Sequence, residues 1–282
     1  MKTEIIDIIS RANFDKNFID FVKKDFKEDY ESLFEKPYEG DMFTNPLSDV
    51  SARERLFTSL KELLHLKQFY NNKGINLKIF YTTINDLAYR IDRYFEENSE
   101  YGLSERDLYW LGFIYRAETF DLGSLRFQRF LLTFKEIERS GYEAMELPVK
   151  WKKKLPEKTP IVNIHILNGA DIRPEKIDES LDMARVFFGA YFPEHNYEYF
   201  VCRTWMIYPK TLQLLNAESN IASFIRRFEI IASHNNPTQA LNRIYGTASL
   251  EKIKTTDHKS SLAKIAYKNL DKLGVAIGLI NK

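Results

Sequence analysis

One cysteine, Cys202, stands in 282 residues. A single thiol closes no disulfide within the chain and builds no multi-thiolate metal site, which suits a reducing compartment. An excess of charge of one sign is missing too: 41 Lys and Arg face 40 Asp and Glu, for a formal net charge of +1. A general binder of nucleic acid or of an anionic membrane surface needs a basic excess, so neither partner is expected. No apolar run approaches the ~18 residues that span a bilayer. The opening MKTEIIDIISRANFDKNF has no long apolar core and no small-residue cleavage site, and it reads as no signal peptide. The expected location is the cytoplasm. His195, His234 and His258 stand at no metal-ligand spacing with each other or with acidic pairs, so no metal is expected. The chain has no Gly-x-Ser-x-Gly, Walker-type loop, Rossmann fingerprint, internal repeat or low-complexity run.

What is there is a chain with a core: 44% of its residues are hydrophobic. The first hundred or so read as helical. Over 51–72, Leu56, Leu60, Leu63, Leu64 and Leu66 or Phe69 recur at three-to-four spacing, and Gly74 is the stop. Over 79–95, Phe80, Ile84, Leu87, Ile91 and Phe95 repeat the pattern. A further helix starts at the capping sequence Ser104-Glu105-Arg106-Asp107.

The character changes after residue 119. FDLGSLRFQRFLLTF (120–134) alternates and is aromatic, so it reads as a strand or hairpin. Residues 161–166 form a β-branched strand. Residues 174–192 form a helix with Ile177, Leu181, Ala184, Phe188 and Phe192 on one face. Residues 199–207 read as a long strand, 209–215 as a short helix with Pro209 first, and 221–231 as an apolar strand carrying Arg226 and Arg227. A helix over 260–273 and a strand over 274–280 close the chain. Such an order makes an α+β sheet with helices on its faces.

The join of strand 161–166 to helix 174–192 is a turn containing Asn168-Gly169. A strand, a glycine turn and a helix start can cradle a phosphate on free backbone amides; equally, the turn can be a plain connection. Arg173 and Lys176 add positive charge there, while Asp171, Glu175, Asp178 and Glu179 oppose it. Asn163 and His165 share one strand face, opposite Val162 and Ile164. His165 is either a general base or a hydrogen-bonded core histidine. Glu118 is the alternative base, or else the salt-bridge partner of Arg116 or Arg126. Cys202 is an acyl carrier or an inert buried thiol.

The order of elements is similar to that of the GNAT acyltransferase fold. Particular stretches carry a closer resemblance: Thr119 to Phe127 (TFDLGSLRF), Val162 to Ile166 (VNIHI), Glu179-Ser180-Leu181 with Ala184 to Phe188, Phe192-Pro193-Glu194, Cys202 to Trp205, and Ser219-Asn220-Ile221. Through them the chain resembles a bacterial two-domain family with a helical N-acyltransferase N-terminal domain and a GNAT-like C-terminal domain. The resemblance implies an all-α domain over 1–119 and, over 120–282, a mixed sheet flanked by helices. It also implies an acyl-CoA or acetyl-CoA co-substrate and direct acyl transfer to an amine or hydroxyl of a small-molecule or peptide acceptor. By the same resemblance, pantetheine runs beside Asn163, Ile164 and Ile166. The pyrophosphate lies on the turn of Leu167, Asn168, Gly169 and Ala170 near Arg173. His165 or Glu118 is the base, and Tyr208, just ahead of Pro209, protonates the leaving thiolate. The turn holds one glycine where the superfamily loop holds more, which keeps a non-catalytic GNAT-like ligand- or protein-binding module as the alternative.

Overall fold

A computed structural model describes residues 1–27, 50–140, 143–255 and 260–282. The chain divides into two compact units, Met1–Asp121 and Leu122–Lys282. The part of the expected helical region over 28–49 lies outside the described residues, as does His258.

In the first unit, helices α1 (Lys2–Arg11), α2 (Lys16–Asp25), α3 (Ala52–Lys73), α4 (Leu77–Asn98) and α5 (Glu105–Tyr115) bury one apolar stripe each. Helix α3 starts on a reciprocal box: Ser51 Oγ accepts from the Glu54 amide at 3.2 Å, and Glu54 accepts from the Ser51 amide at 2.7 Å. It stops where Gly74 takes φ +68°. The stripe of α4 departs from its pattern at one place, where Phe95 is exposed and stacks on Tyr101 at 4.5 Å. At α5, Ser104 Oγ accepts from the Asp107 amide at 3.2 Å, and the Asp107 carboxylate accepts from the Ser104 hydroxyl. The same carboxylate is buried between Arg90 and Arg93, each at 2.7 Å.

The second unit holds five strands of a six-stranded sheet in the order β1-β2-β5-β6-β8-β7, whose edge strand β1 spans the division between the units. The strands are β1 (Thr119–Leu122), β2 (Leu125–Leu131), β5 (Pro160–His165), β6 (Tyr199–Thr204), β7 (Glu229–His234) and β8 (Val275–Asn281). A two-residue pair, β3 (Arg139–Ser140) and β4 (Glu143–Ala144), stands apart. The short helices α6 (Phe134–Glu138) and α7 (Val149–Lys154) precede β5, and α8 (Pro174–Tyr191) crosses from β5 to β6. Helix α9 (Asn220–Ile225) precedes β7; α10 (Thr238–Tyr245), α11 (Leu250–Lys254) and α12 (Ser261–Ala266) lie between β7 and β8. β5 and β6 pair in parallel, as a helical crossover requires; β2–β5, β6–β8 and β7–β8 pair antiparallel.

Alternation sorts the side chains onto two faces. One face buries Ile161, Val201, Ile277 and Leu279 in a cluster with Trp151 of α7 and Leu241 of α10. The other is aromatic: Phe127 meets Phe200 at 5.6 Å, Phe200 meets Tyr197 at 5.2 Å, and Tyr197 meets Phe188 of α8 at 5.9 Å. The β1–β2 hairpin is pinned to α8. Gly123 takes φ +70°, a Cβ there would lie 2.4 Å from Ser180 Oγ, and the Ser124 amide donates to that oxygen at 2.7 Å.

Two expected strands come out differently. β6 ends at Thr204, whose hydroxyl caps a 3-10 turn over Trp205–Ile207. The 221–231 run is helix first: Ser219 caps α9, Arg226 and Arg227 form the turn after it, and only Glu229–His234 is strand. Arg226 is exposed, while Arg227 pairs with Asp178 at 2.9 Å.

Candidate functional site

The parallel pair at the centre of the sheet comes apart. Val162 faces Phe200 and Asn163 faces Val201, and there the β5–β6 ladder stops, although β5 runs on to His165 and β6 to Thr204. Beyond that point the two strands share no ladder pairing, and backbone that a ladder would satisfy is left to other partners. One such group, the Ile164 carbonyl, accepts from the Cys202 thiol across the gap at 3.4 Å. Cys202 is fully buried, and burial pushes its thiol up to about 12. A thiol in that state is a packing group and a weak donor, not a nucleophile.

On the face shared by Asn163 and His165, β2 supplies Arg126 and Gln128. Arg126 lies opposite His165 and Gln128 opposite Asn163 in the antiparallel register. Gln128 is 4% exposed, and its Oε1 lies 2.8 Å from His165 Nε2. Asn163 Nδ2 is 3.5 Å from the same nitrogen. The structure thus brings Asn163 and His165 together and adds Gln128, which the sequence reading passed over. Its signal was present: a carboxamide on an alternating, aromatic strand must find a polar partner when buried.

Past His165 the chain turns. The Ala170 amide donates to Leu167 O at 3.2 Å, closing a turn around Asn168 and Gly169, with Gly169 at φ +74°. Pro174 opens α8 and brings no amide hydrogen. The Arg173 amide is taken by Asp171 Oδ1 at 3.2 Å, and those of Lys176 and Ile177 by Arg173 O. The amides of Asn168, Gly169, Asp171 and Ile172 donate to nothing among the described residues. The turn offers backbone donors, then, but from its own bend more than from the helix start. The Arg173 side chain is already spent: it grips Asp171 through Nε at 2.9 Å and Nη2 at 2.6 Å, with Glu175 at 3.5 Å. Those bonds hold the Asp171 carboxyl well down, to about 2.

The other expected catalytic groups have partners of their own. Glu118 belongs to the first unit, and both its oxygens are taken by Arg116, at 2.8 and 3.1 Å. Tyr208 is buried beyond the end of β6, where its ring packs on Gly274 and its hydroxyl accepts from Asn235 Nδ2 at 3.2 Å. His195, a framework residue, bonds the Ile161 carbonyl at 2.8 Å, and burial pulls its imidazole down. No group of three or more His, Cys, Asp or Glu that could hold a metal ion occurs among the described residues. None of their helices is long and apolar enough to cross a membrane.

A mixed sheet with a central parallel pair that parts ahead of a turn and helix defines a GNAT-like domain. The family model described as the GNAT-like C-terminal domain matches residues 119–279, more than half the chain, and the chain belongs to that family. Solved structures share the fold. An acyltransferase mutant in complex with octanoyl-CoA aligns over 99% of this chain and 88% of its own, at 17% identity and a TM-score of 0.70. An acyltransferase in complex with decanoyl-CoA aligns over 99% and 87%, at 18% and 0.69. One in complex with decanoyl-CoA and teicoplanin aligns over 81% of this chain, at 20% and 0.62; this chain spans 66% of its length. At such identities the likeness is one of fold. No curated protein sequence matches the chain.

Proposed function

We propose that this chain is an acyl-CoA-dependent N-acyltransferase. Residues 120–282 would carry the reaction and 1–119 would form a helical domain of the N-acyltransferase N-terminal kind, in a bacterial cytoplasm. The observation that carries the reading is the parting of β5 and β6 after Asn163 and Val201, directly ahead of a turn with unengaged amides. Pantetheine carries amide groups that can take the place of the missing ladder partner, and the turn amides can take a pyrophosphate. Structures that share the fold were solved with octanoyl-CoA or decanoyl-CoA, one of them with decanoyl-CoA and teicoplanin and another with CoA and 10C-teicoplanin.

In this reading the acceptor is an amine, or a hydroxyl, on a small molecule or peptide. The His165 ring takes its proton as the nitrogen attacks the thioester carbonyl carbon. A strand amide holds the carbonyl oxygen as it becomes negative. The C–S bond then breaks and CoA leaves as thiolate. Tyr208 is the acid we assign to that thiolate, because its hydroxyl accepts from Asn235 and keeps its own proton to give. His165 takes the base role ahead of Glu118, whose oxygens are held by Arg116.

The test is a thermal shift series with acetyl-, octanoyl- and decanoyl-CoA, followed by release of free thiol in the presence of amines. Ligand at about 100 times its Kd stabilises by about 2.7 kcal/mol. A flat response at every chain length contradicts the proposal and favours a module that binds something else.

A further inference from the structure

We propose that Gln128 is a positioning residue that fixes the tautomer of His165, an inference that rests on the acyltransferase reading of the same site. The juxtaposition crosses from β2 to β5. Gln128 is buried at 4% exposure, and His165 Nε2 is the partner of its side-chain oxygen, at 2.8 Å. An amide oxygen only accepts, so the ring nitrogen facing it donates and carries the hydrogen. A neutral imidazole has one N–H, and its proton-accepting lone pair is then on Nδ1. Asn163 Nδ2, at 3.5 Å, is too long to compete for Nε2.

The choice of a carboxamide has a chemical consequence. A carboxylate in this place would both orient the ring and hold a proton on it. Gln128 orients the ring and adds no charge, so the base stays ready to accept. Register makes the arrangement rigid. Gln128 lies directly opposite Asn163 in an antiparallel ladder running from Arg126–His165 to Leu131–Pro160. A one-residue slip would carry Gln128 to the aromatic face.

The experiment is carried out on the full chain with 15N-labelled histidine. Multiple-bond 1H–15N correlation reads the tautomer of each ring, and His165→Gln assigns the signal. The expected wild-type ring is protonated at Nε2 and bare at Nδ1. Gln128→Leu should give a mixture of the two tautomers and lower kcat for octanoyl transfer by about 100-fold, with KM for octanoyl-CoA unchanged. Gln128→Glu keeps an accepting oxygen and should restore the Nε2–H ring; it also serves if Gln128→Leu fails to fold. A wild-type ring protonated at Nδ1, or a tautomer that ignores Gln128→Leu, overturns the inference. Because the tautomer is read without substrate, that result is separate from the acyltransferase reading, which fails when wild type neither binds nor turns over acyl-CoA.

Discussion

Charge at Arg173 and Asp171 decides how an anion would be received. Arg173 is the cation nearest the turn, yet Asp171 and Glu175 hold it. Asp171 is lowered in the folded chain to about 2, so its pairing is fully present above the ordinary carboxylate range and is lost as pH falls through about 2. A carboxyl 13C titration should show that low midpoint, and Arg173→Ala should return it toward ~3.9. The same pair predicts an effect on ligand. Asp171→Asn should free Arg173 and tighten octanoyl-CoA binding severalfold at low salt, the gain shrinking as salt rises. Calorimetry that finds no tightening would place the pyrophosphate away from this turn. His165 was legible as a polar residue facing out of an apolar strand. Its partner was not, because Gln128 is 37 residues earlier and meets it only through strand register.

Two glycines with nearly the same backbone separate contact from conformation at the scale of elements. Gly123 and Gly169 have φ +70° and +74°. A Cβ on Gly123 would lie 2.4 Å from Ser180 Oγ; one on Gly169 would meet nothing within 4 Å. Gly169→Ala should therefore cost about 1 kcal/mol of left-handed strain. Gly123→Ala adds displacement of Ser180, for about 2–3 kcal/mol in all. Urea unfolding compares the two directly, and equal costs would mean that the hairpin is not pinned to α8. Periodicity made most helices readable: α8 buries one stripe, Ile177 to Phe188, and α4 does the same from Phe80 to Ile91. It failed where one apolar run holds two elements. Residues 221–231 change from helix to strand at Arg226–Arg227, and a hydroxyl cap on the Ala222 amide, not hydrophobicity, starts the run as helix. Likewise Trp205–Ile207 continue the apolar run of β6 but turn, because Thr204 caps them.

For the whole molecule, the parting of β5 from β6 ties fold to function. Past Val201, β6 keeps its pairing with β8 to Thr204, and β5 keeps its pairing with β2 to His165, while the pairing between them has ended. Family membership and the shared fold were within reach of the sequence, through the strand–turn–helix–strand order and the stretches from Thr119 onward. The state of the parted strands was not: the Cys202–Ile164 contact joins residues 38 apart across strands that have already parted. A ligand lying along β5 must compete for that carbonyl. The most direct measurement is a crystal structure of the full chain with octanoyl-CoA. The account predicts pantetheine between β5 and β6 beside Asn163 to Ile166, the Cys202 thiol displaced from Ile164 O, and pyrophosphate on the amides of Asn168 and Gly169. Octanoyl-CoA bound elsewhere, with the thiol still on Ile164 O, would contradict it.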